Sequence, residues 1–156
     1  MNETYRDLVA WQRAMALVTH IYRATDAFPR REIYGLTNQL RRAAVSVPSN
    51  IAEGKGRRSK KEYVQFLFKA RGSLFEVETQ LEIACNLEYI APEPYAALKE
   101  QVGAVARVLS GLIAAIQKQI ERQPVIPTPD SREPTAPNHH GLQKTSHTGR
   151  ANARTD

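Results

Sequence analysis

The chain has 156 residues, enough for one domain with a full hydrophobic core. Its 22 Lys and Arg against 16 Asp and Glu leave a formal net charge of +6, which favours a polyanionic partner. A single cysteine, Cys85, excludes an intramolecular disulfide framework, and no apolar run approaches the roughly 20 residues that cross a bilayer. The polar N-terminus shows no secretory pattern, so the expected location is the cytoplasm.

In chain order, Leu8, Trp11, Met15, Val18 and Tyr22 recur at steps of three and four. That period predicts a first helix from about Tyr5 to Phe28, stopped by Pro29. Ile33, Leu36, Leu40, Ala43, Val47 and Ile51 form a second stripe, with Gly54 expected as its C-terminal glycine. Pro48 lies inside this helix, where it removes one backbone donor and is expected to kink or open the last turns.

Ser59 followed by Glu62 reads as a capping box that starts a third helix. Tyr63, Leu67, Ala70, Leu74, Val77, Leu81 and Ala84 mark its buried face. Pro92 and Pro94 punctuate the next turn, and Pro94 suits a first helical position. The fourth stripe is Tyr95, Leu98, Val102, Val105, Leu109, Leu112 and Ile116. Short links between long helices make the expected fold all-α, an antiparallel up-down-up-down four-helix bundle spanning residues 1–123.

After Gln123 the composition changes. Residues 124–156 hold five of the nine prolines and no aromatic residue, which predicts a disordered Pro-rich tail. The tail carries four of the basic and three of the acidic residues, leaving 18 against 13 and a net charge of +5 in the body. On the third helix Phe68 and Phe75 lie seven apart, with Gly72 between them. They share a face away from the main stripe, which points to a subunit contact, the alternative being a wider buried face.

The run Tyr34-Gly35-Leu36-Thr37-Asn38-Gln39-Leu40-Arg41-Arg42-Ala43-Ala44-Val45-Ser46-Val47-Pro48-Ser49-Asn50-Ile51-Ala52-Glu53-Gly54 resembles the signature of the four-helix bundle proteins encoded in bacterial 23S rRNA intervening sequences. Gly72 to Leu81 followed by Ile83-Ala84, and the early Leu8-Val9-Ala10-Trp11-Gln12, resemble the same family in the same order. The resemblance covers about residues 5–120 and leaves the tail outside. It implies a bundle assembled into a barrel-like homopentamer, without established enzymatic activity and without a cofactor. The chain is also similar to the accessory variability determinant of diversity-generating retroelements, a basic pentamer that binds nucleic acid and a reverse transcriptase.

Among individual residues, Lys55, Arg57, Arg58, Lys60 and Lys61 place five cations in seven positions. Beside free N–H groups at a helix start, they make a candidate phosphate seat, with a solvated loop as the alternative. Arg41 and Arg42 extend the basic character, or else pair with Glu76, Glu78 or Glu82. Arg30 and Arg31 belong to the opposite end of an antiparallel bundle. RNA or DNA backbone is therefore the expected ligand, and a protein–protein adaptor without nucleic acid is the alternative.

Ser49, Asn50 and Glu53 cluster around Pro48, where Ser and Asn side chains can relieve the carbonyl near Ala44. A di-iron bundle needs Glu-x-x-His on two helices, and the body has one histidine, His20, with Leu17 three positions before it. His139, His140 and His147 fall in the tail, Cys85 reads as packing, and no phosphate loop or dinucleotide glycine motif occurs. Arg13 and His20 match the Arg-x(4–6)-His spacing of HEPN-type ribonucleases, although Ala14 replaces the usual polar residue after Arg.

Overall fold

The structure, a computed structural model, describes residues 4–122. The Pro-rich stretch 124–156, and with it the predicted disorder, lies outside the described residues. Four helices carry the chain: α1 (Val9–Thr25), α2 (Leu36–Lys55), α3 (Lys60–Asn86) and α4 (Pro92–Glu121). Short 3-10 turns precede α1 and α2 at Tyr5–Asp7 and Arg30–Glu32. No strand occurs among the described residues, so the all-α expectation holds.

Each helix packs on two others: α1 on α2 and α4, and α3 on α2 and α4. The core lies within this ring, where Leu17, Ile21, Leu40, Val47, Ile51, Leu67, Leu74, Leu81, Val105 and Leu109 are almost wholly removed from water. Burial of each such side chain is worth about 1.5–3 kcal/mol, which makes this cluster the main driving force for the fold. Along the α2–α3 pair, Gly54 meets Tyr63 and Phe66 while Ser46 meets Ser73, so these two helices run in opposite directions.

The expected buried face of α1 is corrected by the structure. Ala10, Ala14, Leu17 and Ile21 point into the core, whereas Met15 and Tyr22 are each 41% exposed. Leu8, Trp11 and Val18 sit at the core's edge. The sequence offers two adjacent apolar stripes, and the one with small alanines wins because it lets α1 approach its neighbours closely. The helix is also shorter than predicted. Leu8 is extended (φ −73°, ψ 121°), and a capping box between Thr4 and Asp7 closes the preceding turn. At the other end Thr25 Oγ1 donates back to the Ile21 carbonyl at 2.8 Å.

In α2 the helix runs through Pro48 to Lys55 without a break. Ser49 Oγ donates to the Val45 carbonyl at 2.8 Å, and Asn50 Nδ2 to that of Ser46 at 2.8 Å. Ser49 and Asn50 are thus structural, although they serve the carbonyls after Ala44. Gly54 does not end the helix; Gly56 occupies the C-cap. A Cβ on Gly54 would stand 2.8 Å from Phe66 Cβ and 2.9 Å from the Tyr63 ring, so glycine is needed for close helix contact. Ile33 lies before the helix and is largely exposed.

The α3 stripe agrees with the sequence reading, joined by Val64. Ser59 holds the N-cap position, but its side chain makes no capping bond, so the expected box does not form. Pro92, rather than Pro94, opens α4, and Ile113 replaces Leu112 as the last buried residue of that face.

One long-range cluster was not visible in the sequence. The Glu32 carboxylate accepts the Leu36 N–H at 2.9 Å and the Tyr89 hydroxyl at 3.0 Å. It thereby caps α2 and ties the α3–α4 link to the α1–α2 link. The Leu36 N–H, then Tyr89, hold its carboxyl below the usual carboxylate range. The Tyr89 ring also packs on Phe28, with centroids 5.7 Å apart. The α3–α4 link itself begins as a Schellman motif: Tyr89 N–H donates to Ala84 and Glu88 N–H to Cys85. Its left-handed position is filled by Glu88 at φ 58°.

Three outcomes follow for stability. Gly54→Ala lowers it by about 1–2 kcal/mol, the clash outweighing the ~1 kcal/mol gain in helix propensity; a higher melting temperature would contradict the close-contact role. Glu88→Gly raises it by about 1 kcal/mol by relieving the left-handed strain, and an unchanged or lower midpoint in urea speaks against that. Because the Glu32 carboxyl is depressed on folding, its contribution is complete above the usual carboxylate range and is lost as pH falls through its lower folded value. Melting curves of wild type and Glu32→Gln therefore differ at neutral pH and converge in acid; a gap that persists in acid would show that the carboxylate's charge is not what matters.

Candidate nucleic-acid interface

The α2–α3 connection is only four residues long, because α2 ends at Lys55 and α3 starts at Lys60. Gly56 N–H donates to the Ala52 and Glu53 carbonyls, and Arg57 N–H to Gly54 at 3.0 Å, so the turn is tied to the end of α2. Five cations are thereby held at one end of a helix pair. Their states differ. Arg57 pairs with Glu53, and its guanidinium lies 4.5 Å over the Phe66 ring, which Lys69 Nζ also approaches at 4.4 Å.

Arg58, Lys60 and Lys61 are exposed and have no ion pair among the described residues. They surround the start of the 27-residue α3, whose first N–H groups receive no side-chain cap from Ser59. Uncapped N–H groups carry the positive end of the helix dipole. One exposed turn thus carries both backbone donors and three side-chain cations, a combination suited to phosphate oxygens.

Arg41 and Arg42 do not belong to this cluster. Fourteen residues of helix place Arg41 about 20 Å from Lys55 along α2. Arg41 Nε donates to Thr25 Oγ1 at 2.8 Å, its Nη2 meets Asp26 at 2.9 Å, and its guanidinium lies 4.6 Å over Tyr22. It fastens the end of α1 to α2, and its ion pair is with Asp26 rather than with Glu76, Glu78 or Glu82, the alternative the sequence offered. Arg42 lines a polar cleft between α2 and α3 beside Glu76 and Gln80, without an ion pair among the described residues. Arg31 leans on Tyr89, donating to its hydroxyl at 3.3 Å.

Phe68 is half-buried beneath the Arg71 guanidinium, 4.8 Å from its ring, while Phe75 is 56% exposed. Arg13 and His20 line one groove between α1 and α4, where His20 Nδ1 and Gln101 Oε1 are 2.7 Å apart. Among the described residues no three His, Cys, Asp or Glu side chains gather as a metal site. No described helix is long and apolar enough to cross a membrane.

A family model described as 23S rRNA-intervening sequence protein matches residues 6–111. Among solved structures, the chain is similar to a protein of unknown function from the S23 ribosomal protein family of Bacteroides thetaiotaomicron. The two are 21% identical with a TM-score of 0.61, and the match covers 67% of this chain and 98% of that one. At that identity the likeness concerns the fold. No protein with a curated description matches.

Proposed function

The chain belongs to the 23S rRNA-intervening sequence protein family, and from that membership and its charge distribution we propose a non-enzymatic, homo-oligomeric bundle that holds nucleic-acid backbone on the α2–α3 turn. The observation that carries this reading is a set of three cations, Arg58, Lys60 and Lys61, that have no ion pair among the described residues and stand at an uncapped helix start. Lys55 and Arg57 stand beside them and complete the basic turn. Arg41, bound to Asp26, is not part of the site, and Arg42 lies too far along α2 to share a phosphate with it.

The exposed α3 face around Phe75 supports self-association. A pentamer is the copy number that the resemblance to the accessory variability determinant favours, and a reverse transcriptase is the protein partner it favours. Repeating the basic turn in each copy raises avidity for a polyanion without new chemistry. The contacts available are to phosphates, so binding is weakly sequence-selective and steeply dependent on salt. The family description refers to ribosomal RNA and names no reaction, which makes structured RNA the first ligand to test.

Fluorescence anisotropy with structured RNA and duplex DNA across a salt series checks this. Wild type binds at low salt, and the Arg58→Ser, Lys60→Ser, Lys61→Ser triple variant reduces the log–log salt slope by about three per engaged copy. No binding at low salt, or an unchanged slope in the variant, would overturn the proposal and favour a protein–protein adaptor.

A further inference from the structure

A further group of chemistry-bearing side chains lies away from the α2–α3 turn. Arg13, Ala16 and His20 follow one another at steps of three and four, which sets them on one face of α1. With Gln101, Ala104 and Val105 of α4 they line an open groove of about 360 Å³. Ala16 and Ala104 contribute only a methyl group each, which is what leaves the space. Val105 is 1% exposed and forms an apolar floor.

The polar members of the groove are held in a definite state. His20 Nδ1 and Gln101 Oε1 are 2.7 Å apart. An amide oxygen can only accept, so Nδ1 donates its hydrogen to Gln101. That contact fixes the ring across the two helices and leaves Nε2 without a partner among the described residues. Arg13 makes no ion pair or hydrogen bond among the described residues.

No carboxylate compensates these groups. Val9–Thr25 contains no acidic residue, and none lines the groove. Glu100, next to Gln101 in the chain, is displaced from it by about 100° around α4. A cation without a counter-ion beside an apolar wall is complementary to a small amphipathic anion. Arg13 and His20 are seven residues apart, two turns or about 10 Å along α1. A ligand that engages both therefore carries its charge and its hydrogen-bonding group at opposite ends of an apolar body.

We propose that this groove binds a small hydroxylated aromatic carboxylate. The carboxylate accepts two N–H bonds from the Arg13 guanidinium, the ring lies against Ala16, Ala104 and Val105, and the ring hydroxyl donates to His20 Nε2. A rigid ring suits the groove better than a flexible chain, because it loses less conformational freedom on binding. The site is independent of the α2–α3 turn, since α1 and α3 do not pack on one another.

Calorimetric titration and amide NMR spectra of the full chain with para-hydroxyphenylpropionate test this. Shifts concentrate on residues 13–20 and 101–105. Arg13→Gln weakens binding about tenfold through loss of the charge-assisted pair. Phenylpropionate, which lacks the hydroxyl, binds wild type about fivefold more weakly, and His20→Phe removes that difference. Ala104→Leu, shown to be folded by circular dichroism, fills the groove and abolishes binding. The Arg58→Ser, Lys60→Ser, Lys61→Ser triple variant binds the probe as wild type does. No binding, shifts confined to other residues, or an Arg13→Gln affinity equal to that of wild type overturns the proposal and leaves the reading of the α2–α3 turn standing. A hydroxyl preference that survives His20→Phe overturns the contact with Nε2.

Discussion

The close contact of α2 with α3 at Gly54 sets the position of everything that follows it. Bare backbone at that point lets the Tyr63 ring and Phe66 press against α2. With the helices this near, four residues suffice to reverse the chain. Lys55, Arg57, Arg58, Lys60 and Lys61 are consequently held on a tight turn at the end of the helix pair. Arg57, folded back onto Glu53 and Phe66, braces the turn and leaves its neighbours facing solvent. The packing of one glycine therefore decides where the positive charge of the molecule is displayed.

The far end of α2 is organised by different physics. There Glu32 supplies the acceptor that caps the helix and, through Tyr89, pins one interhelical link to the other. Arg41 performs the matching task for the end of α1 by engaging Thr25 and Asp26. Glu32 and Arg41 are thus engaged in holding the bundle together. At the α2–α3 turn three of the five remain without an ion pair among the described residues.

How much of this the sequence discloses depends on how many faces each helix makes apolar. For α3 and α4 one stripe dominates, and the predicted core positions agree with the structure except at the two ends of α4, where Tyr95, Leu112 and Ile116 are only partly buried. For α1 two stripes overlap, and periodicity favours the bulky one although alanines fill the core. Capping chemistry misleads for a related reason: Ser59 and Glu62 have the right spacing, but nothing local requires the serine to turn inward. Gly54 looks like a terminator because its true neighbours are nine and twelve residues away, on another helix. Glu32 and Tyr89 are 57 residues apart and carry no local signal at all. Of the candidate site, the five-cation run was legible; that Arg41 is withheld by Asp26 was not.

The proposed function holds nucleic acid on the α2–α3 turn, and amide hydrogen exchange on the full chain with structured RNA tests this directly. It predicts slowed exchange confined to about residues 56–63, including the uncapped first-turn amides of α3, with residues 36–42 unchanged. Protection that spares the turn and appears instead around Arg41 and Arg42, or no protection on either segment, would contradict it.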